Sequence, residues 1–364
     1  MTPPLNLRNA LRSSRLVRWL YYDFHLADVL VLLGLSKFKK KSLSAMRQFM
    51  KQSDFNDNKL YREIYGDIRS CYFKYKTTPL EYFLFRLRGK TEEERRSYLS
   101  DSMIMKYAAD KNGRRIHDRE LNNKYNFYKI NSRFFKRNAI LLDRSTTLQQ
   151  FMAFAHDQKR IIAKPNRAAL GSGVEIFTIE TNKEAEKIYN HLKESECDEY
   201  ILEDVIIQDT RMAVWNQSCV NTIRINTFLN NGHYNVLSPF IRTGRKGSIV
   251  DNGGQGGIFA SIDRRTGIVN TNGMDEFGNI YTRHPDSNIE YVGWQVPEWS
   301  KLMAIAEEIH CNNMPNHAYV SWDFALAEGD GWVLIEGNWG EFVCQQMTQN
   351  RGYKNEFIEY LNAK

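Results

Sequence analysis

The sequence predicts an α+β fold, in which a helical segment precedes a region of alternating strands and helices. From Arg8 to about Asp110, apolar and aromatic residues recur at helical spacing. After Asn112, short strand-forming runs alternate with helical ones. Near the carboxyl end, the turn-forming run Glu328–Gly331 separates two stretches rich in strand formers, which predicts a β-hairpin.

The composition indicates an ordinary globular protein. The chain has 364 residues, 42% of them hydrophobic, which is enough for two or three subdomains with cores. Its five cysteines include no C-x-x-C pair, so neither a disulfide framework nor a zinc site is expected. The apolar run Leu26–Leu35 is about half the roughly 20 residues that a membrane span needs, and no signal peptide is evident. We therefore expect a cytoplasmic protein with no nucleic-acid partner.

The formal net charge of +7 is concentrated at the amino end. Residues 1–50 hold nine Lys and Arg against two Asp, whereas the remainder is balanced. Arg8, Arg12 and Arg15 fall on one helical face, which predicts peripheral contact with an anionic membrane, such as the inner membrane, or with an anionic glycan. A solvated basic helix is the alternative.

The helical segment is predicted to break near Asp54–Asn58 and again at Lys76–Pro79. A helix start is expected at Thr91–Glu94, where acids in the first turn complement the helix dipole. The aromatic residues here are expected to form core, namely Tyr72, Phe73, Tyr82, Phe83 and Phe85.

The second region is predicted to alternate between helices and strands. The expected helices are Lys124–Ile130, Leu148–His156 and Asn182–Ser195, and the expected strands are Ile140–Leu142, Ile161–Lys164, Val174–Ile179, Tyr200–Ile207, Asn221–Leu229 and Val236–Arg242.

A glycine-containing loop between two of these strands has the character of a phosphate-binding loop. Gly171, Ser172 and Gly173, together with Asn166, offer unhindered backbone N–H groups, and Lys164 supplies a point charge beside them. The alternative is an ordinary turn. The loop is not a Walker loop, and no dinucleotide fingerprint opens a helix.

The predicted hairpin carries ligands of the type that hard cations prefer. If Ala327 pairs with Trp332 across a four-residue turn, Asp323 falls opposite Glu336, with Cβ atoms about 4.5–5.5 Å apart. Asn338 points the same way. Two carboxylates and an amide oxygen suit Mg²⁺ that carries nucleotide phosphates. The alternative is an exposed hairpin with solvated acids.

Two arginines on neighbouring strands suggest an anionic ligand. Arg224 lies at a core-adjacent position, and Arg242 ends a strand just before the glycine-rich stretch 251–263. Arginines without local acids favour anion binding, although a salt bridge at the rim is the alternative for Arg242.

Taken together, these residues resemble the ATP-grasp superfamily, and within it the sugar-transfer-associated ATP-grasp proteins of bacterial surface-polysaccharide synthesis. The resemblance covers roughly Asn58 to Tyr353 and implies an ATP-grasp fold. It implies a helical accessory domain at residues 1–112, a small subdomain at 113–205 and a large subdomain at 206–364.

The resemblance also implies roles for single residues. Lys124 in LNNKYNFY corresponds to the first nucleotide-binding lysine, and Lys164 in IIAKPN to the second, near the α- and β-phosphates. The loop Gly171–Gly173 would cover the phosphates. The hinge would meet adenine through the backbone of Glu203, Asp204 and Val205. The metal triad would be Asp323, Glu336 and Asn338, with Arg224 and Arg242 acting at the acceptor. His284 also fits the family pattern, either as a structural or as a catalytic histidine.

The activity implied is that of an ATP- and Mg²⁺-dependent carboxylate–amine ligase, with Mn²⁺ as the alternative ion. It would act through an acylphosphate and join an amino acid to a sugar acid or amino sugar, so its partners would be small, sugar-linked carboxylates and amines. The alternatives are a phosphotransferase and a non-catalytic nucleotide-sensing component of the polysaccharide machinery.

Overall fold

The computed structural model describes residues 31, 37–113, 116, 119–168, 173–245, 247–248, 251, 256–340 and 342–363. None of the helices in these ranges is long and apolar enough to cross a membrane. The basic residues Arg8, Arg12 and Arg15, with their predicted membrane or glycan contact, lie outside the described residues.

The first part of the described chain is helical, as the sequence predicts. A core that includes Ile68, Tyr82 and Phe85 holds these helices together. Thr91 caps one of them with a capping box, because its side chain accepts from the Glu94 N–H while Glu94 accepts from the Thr91 N–H. The helices are α1 (Phe38–Phe49), α2 (Gln52–Asn56), α3 (Asn58–Tyr75), α4 (Pro79–Leu84), α5 (Glu92–Ser97) and α6 (Asp101–Asn112). Both predicted breaks are confirmed.

Two antiparallel sheets follow, which confirms the α+β prediction. The smaller sheet has the strand order β1-β4-β2-β3 and packs against helices α8 and α9. Its strands are β1 (Ala139–Leu142), β2 (Arg160–Pro165), β3 (Glu175–Thr178) and β4 (Tyr200–Asp204), and the helices of this part are α7 (Lys124–Phe135), α8 (Leu148–Ala155) and α9 (Asn182–Glu194).

The larger sheet has the order β11-β10-β5-β6-β7-β8-β9 and contains the main apolar core. Its strands are β5 (Thr222–Asn230), β6 (His233–Thr243), β7 (Ile258–Ser261), β8 (Gly273–Met274), β9 (Ile280–Tyr281), β10 (Tyr319–Ala327) and β11 (Gly331–Asn338). The helices around it are α10 (Thr210–Ala213), α11 (Trp299–Glu308) with the π-helical turn Ile309–Asn313, α12 (Val343–Gln349) and α13 (Lys354–Leu361).

The strand predicted for 200–207 is too long, because the chain leaves the smaller sheet after Asp204. The following residues run to the larger sheet, where the Ile207 carbonyl accepts from the Glu328 N–H at 2.9 Å and the Asp209 N–H donates to the Leu326 carbonyl at 2.9 Å. Their backbone groups are therefore paired with β10 instead of extending β4. The predicted boundaries at 112/113 and 205/206 stay predictions.

The helical segment is fastened to the end of the chain by one buried side chain. The Gln346 amide accepts from the Leu99 N–H and donates to the Leu99 carbonyl, both at 2.8 Å. Close by, Gly352 lies so near the Ser97 backbone that a Cβ there would be 2.3 Å from the Ser97 carbonyl oxygen. A side chain at position 352 would thus push the two segments apart.

Candidate active site

The hairpin of β10 and β11 places Asp323 opposite Glu336, as predicted, but by a different register. Ala327 pairs with Gly331, not with Trp332, so the turn is one residue shorter than expected. The register then shifts between Asp323 and Phe324, because β11 carries one extra residue, Ile335, at a bulge. The bulge compensates for the shorter turn and restores the predicted pairing of the two acids.

Asp323 is completely buried and is held by both arginines. Arg224 on β5 donates to its two oxygens at 2.6 Å each, and Arg242 on β6 donates to Oδ2 at 3.0 Å. Burial alone would raise the pKa of Asp323, but the two guanidinium groups outweigh it and lower the pKa to about 2. Asp323 is therefore a carboxylate at neutral pH.

Both arginines have acidic partners in the structure. Their partners come from distant parts of the chain, because Asp323 lies on β10 and the second acid, Asp251, lies beyond β6. The Arg242 Nε atom donates to the Thr222 hydroxyl at 2.8 Å and lies 3.4 Å from an Asp251 oxygen. The Nη1 atom of Arg242 has no hydrogen bond within the described part of the chain, so it is available to a ligand.

The donor set around Asp323 fits a hard cation. The partly exposed Glu336 lies directly opposite Asp323 in the hairpin, on the same face of the sheet. The Asn338 amide nitrogen donates to Glu336 at 3.1 Å, which leaves the amide oxygen for a cation. Oxygen donors of this kind are those that Mg²⁺ prefers.

A second charged cluster lies on the smaller sheet around Glu203, which is 2% exposed. Lys164 on β2 donates to Glu203 Oε1 at 2.9 Å, and Arg137 donates to Oε2 at 2.8 Å. Burial would raise the pKa of Glu203, but Arg137 and Lys164 together lower it to about 2. The predicted phosphate-binding lysine is thus anchored by a carboxylate of the predicted hinge.

Arg137 connects the two sheets, and the sequence analysis missed it. Besides Glu203 on β4, its guanidinium donates through Nη1 to the Leu334 carbonyl of β11 at 2.9 Å. No residue near Arg137 in the sequence indicates these contacts, because both acceptors lie far along the chain. Only a buried acid in the hinge strand, which needs a cationic partner, could have indicated it.

Lys124 is brought to the same place by helix α7. Burial lowers the pKa of Lys124. The negative charges of Glu336 and Glu203 raise this pKa and the positive charge of Lys164 lowers it, but burial has the largest effect. The Lys124 ammonium donates to the Ala168 carbonyl, four residues after Lys164, so Lys124 lies beside the end of β2.

Close packing fixes the start of α7 beside these strands. The Lys124 N–H donates to the Asn166 carbonyl at 3.1 Å, and the Tyr125 N–H donates to the Asn166 side chain at 2.9 Å. A Cβ on Gly337 would lie 2.6 Å from the Phe127 ring, so only glycine lets α7 approach β11 this closely. Gly337 separates Glu336 from Asn338, and this contact sets the distance between Lys124 and the metal-type ligands.

Of the remaining predicted site residues, only Gly173, Asp204 and Val205 are among the described ones. Gly171 and Ser172 lie outside the described residues. Gly173 has φ +71°, and a Cβ there would meet Pro165 at 2.9 Å, so the loop needs glycine at this point. The Asp204 side chain accepts from the Asn138 N–H at 3.2 Å, and burial raises the pKa of Asp204. Val205 directly follows the end of β4.

His284 is a structural histidine in this fold. It is fully buried, its Nε2 atom lies 2.9 Å from the Gly244 carbonyl, and its Nδ1 atom accepts from the Asp286 and Ser287 N–H groups at 3.3 Å. Both ring nitrogens are satisfied by a neutral ring that donates through Nε2. Burial lowers the pKa of His284, which favours this neutral form.

The site thus combines two lysines near the end of β2 and the start of α7 with the oxygen-bearing side chains of the β10–β11 hairpin. The sequence matches the family described as sugar-transfer associated ATP-grasp over residues 102–360. The chain belongs to this family. The match begins at residue 102, so residues 58–101, which the resemblance above had included, lie outside it. No curated protein matches the sequence significantly.

Several solved structures are similar in outline. D-alanyl-alanine synthetase A from Vibrio cholerae is 10% identical with a TM-score of 0.40, over 68% of this chain and 65% of that one. VanG D-Ala:D-Ser ligase from Enterococcus faecalis is 10% identical with a TM-score of 0.44, over 66% and 61%. D-cycloserine synthetase DcsG is 10% identical with a TM-score of 0.42, over 78% and 94%. The chain thus spans less than two thirds of the first two proteins, and likenesses at these TM-scores do not bear on activity.

The ion cluster around Glu203 makes stability depend on pH. Because the folded-state pKa of Glu203 is about 2, below the ordinary glutamate value of 4.5, its contribution to stability is complete above pH 4.5 and is lost as the pH falls toward 2. We expect Glu203→Gln to lower the free energy of unfolding at pH 7 by on the order of 3 kcal/mol. The deficit should shrink by about 1.4 kcal/mol per pH unit below 4.5.

Urea denaturation between pH 7 and pH 3.5 measures this deficit. Glu63→Gln, an exposed position on α3, is the matched control and should show no such trend. A deficit for Glu203→Gln that is the same at both pH values would contradict the charge assignment.

Proposed function

We propose that this protein is an ATP-dependent carboxylate–amine ligase. The observation that carries the proposal is the packing of helix α7, which bears Lys124, against Asn166 just beyond Lys164 and against Gly337 next to Glu336; groups suited to phosphates thus lie near a group suited to their metal. No nucleophilic serine or cysteine is required, because phosphoryl transfer depends on positioning and on charge stabilisation.

In the first step, the γ-phosphate of ATP passes to an acceptor carboxylate, which gives an acylphosphate and ADP. Lys164 and Lys124 bind the phosphates, and Lys164 is oriented for this by Glu203. Backbone of Glu203, Asp204 and Val205 meets the adenine, and the loop at 171–173 covers the phosphates. Asp323, Glu336 and Asn338 would hold Mg²⁺, or Mn²⁺, which when bound neutralises charge on the phosphates.

In the second step, an amine attacks the acyl carbon, and inorganic phosphate leaves as the amide forms. Arg242 offers its Nη1 atom to the acceptor carboxylate and then to the oxyanion that forms during the attack. Arg224, whose Nε and Nη2 atoms both donate to Asp323, acts as a positioning residue that keeps this acid ionised and oriented.

The substrates we propose are an amino acid and a sugar acid or amino sugar. The family's description as sugar-transfer associated supports the sugar. A location in the cytoplasm, with the amino-terminal segment touching the inner membrane, stays a prediction.

A screen for ADP release tests the reaction directly. Uronic acids and nucleotide sugars are paired with amino acids, and products are identified by mass. We expect ADP release that needs both an acid and an amine, with a product of the mass of the amide. A phosphorylated product that needs no amine would identify a phosphotransferase, and no ADP release from any pair would favour the nucleotide-sensing alternative.

Glu336→Gln tests the metal site, because it removes charge without changing volume. We expect Mg²⁺-dependent ATP turnover to fall by about 100-fold or more, with the thermal midpoint nearly unchanged. The control is Glu328→Gln, an exposed position in the turn of the same hairpin, which should behave like wild type. Wild-type turnover in a folded Glu336→Gln variant would disprove the metal assignment.

Lys164→Met and Arg242→Met separate nucleotide binding from chemistry. The first should weaken binding of a non-hydrolysable ATP analogue by about 10-fold, because a phosphate contact is lost. The second should change this affinity by less than about twofold and suppress turnover with acceptor. Calorimetry and ADP release measure the two effects.

Arg242→Lys serves as a control for folding, because it keeps a cation beside Asp323 and Asp251. It should lower the thermal midpoint less than Arg242→Met does, while losing most of the turnover. Equal losses of nucleotide affinity in the two methionine variants would show that one of the residues is misplaced.

A further inference from the structure

A cavity of about 440 Å³ lies between the helical segment and the larger sheet, a size typical of small-molecule sites. It is lined by residues around the end of α1, by residues of α3 and α4 and the stretch after α4, and by residues 274–278. None of the residues assigned above to nucleotide, metal or acceptor lines it. The cavity is therefore a separate candidate site, most of whose lining precedes the matched family region.

The cavity is rich in cations. Lys51, Arg86 and Arg88 line it, together with one carboxylate, Asp54. Asp54 accepts from the Ser53 hydroxyl at 3.2 Å, and in the described chain the three cations have no ion-pair partner. The lining thus carries a charge of about +2 that no ion pair among the described residues compensates.

One wall of the cavity is apolar and tightly packed. The rings of Phe49 and Phe83 stack with their centroids 5.1 Å apart and their planes at 4°. Gly278, at φ +79°, lies against Phe49, where a Cβ would be 3.2 Å from the ring. Beside it Phe277 is 54% exposed. These rings offer apolar contact to the body of a ligand whose charged end meets the cations.

Arg86 occupies a position where glycine is the usual residue. Helix α4 ends in a Schellman motif, since the Leu87 N–H donates to the Tyr82 carbonyl at 3.0 Å and the Arg86 N–H donates to the Phe83 carbonyl at 2.9 Å. Arg86 itself has φ +51°, which is unfavourable for a residue with a Cβ. Lys76 and Lys136 end α3 and α7 in the same left-handed conformation, so a cation at this position also complements the helix C-terminus.

We propose that this cavity binds a phosphomonoester of a small ring compound. A phosphomonoester carries a charge of about −1.5 to −2 at pH 7, which matches the uncompensated charge of the lining, whereas a carboxylate carries only one charge. Guanidinium groups bind phosphate oxygens in pairs, and the aromatic wall accommodates the ring. The inference does not depend on the ligase reaction proposed above.

Calorimetry with glucose 6-phosphate as the probe tests the proposal. Glucose, glucuronate and inorganic phosphate serve as comparison ligands. We expect glucose 6-phosphate to bind best, and Lys51→Met and Arg88→Met each to weaken binding by about 10-fold. Arg62→Met, an exposed arginine on α3 outside the cavity, is the matched control and should bind like wild type.

Arg86→Gly distinguishes a ligand contact from a structural role. It should weaken probe binding to a similar extent while it keeps or raises the thermal midpoint, because glycine adopts a positive φ without strain. Glu336→Gln should bind the probe normally, so that a failure of the ligase proposal leaves this test intact. Vesicles of phosphatidylcholine that contain phosphatidic acid, bound only when Arg88 is present, would indicate a lipid source for the same phosphate group.

Three outcomes would overturn the proposal. These are equal affinity in wild type and in the Lys51, Arg86 and Arg88 variants, glucuronate binding as tightly as glucose 6-phosphate, and the absence of binding to every phosphomonoester, soluble or in vesicles. Inorganic phosphate that binds as tightly as glucose 6-phosphate would overturn the contribution of the aromatic wall.

Discussion

The site depends on a buried carboxylate, Asp323, that two arginines of neighbouring strands keep ionised. Burying a charge without partners is very unfavourable, so Asp323 tolerates its position on β10 only because Arg224 and Arg242 surround it. Removing one partner from such a group costs about 3–5 kcal/mol in other proteins. The central strands of the larger sheet are thus tied together by the same ions that orient the metal-type ligands.

A second ion cluster, around Glu203, joins the smaller sheet to the larger one. Glu203 on β4 fixes Lys164, and Arg137 joins this acid to the Leu334 carbonyl next to the bulge in β11. The bulge that restores the pairing of Asp323 with Glu336 therefore lies beside a contact to the hinge strand. Displacement of one sheet against the other would break the Arg137 contacts. Arg137 therefore helps to fix the distance between the Lys164–Glu203 pair on the smaller sheet and the β10–β11 hairpin on the larger one.

Sequence reasoning succeeded where a local pattern carries the information. Turn-forming residues at 328–331 predicted the hairpin, and helical spacing after Lys124 predicted α7. It was wrong where backbone pairing is decided at long range. The strand from Tyr200 ends early because the chain crosses to β10. The predicted pairing of Asp323 with Glu336 is correct although the predicted turn is one residue too long, because the bulge in β11 compensates for the difference.

The sequence by itself determined the fold class, the order of the elements, the family and the chemical types of the site residues. The fold class and the order of the elements follow from residue identity, spacing and local propensity, which are properties of neighbours along the chain, whereas the family followed from a resemblance of motifs. Only the tertiary structure decided that Arg224 and Arg242 both serve Asp323, that Arg137 joins the sheets, that His284 is a buried neutral residue and that cations collect around a cavity beside α4. Each of these depends on contacts between residues far apart in sequence. The electrostatic energy of such a contact depends on the distance between the charges and on their burial, and neither can be read from the order of the residues.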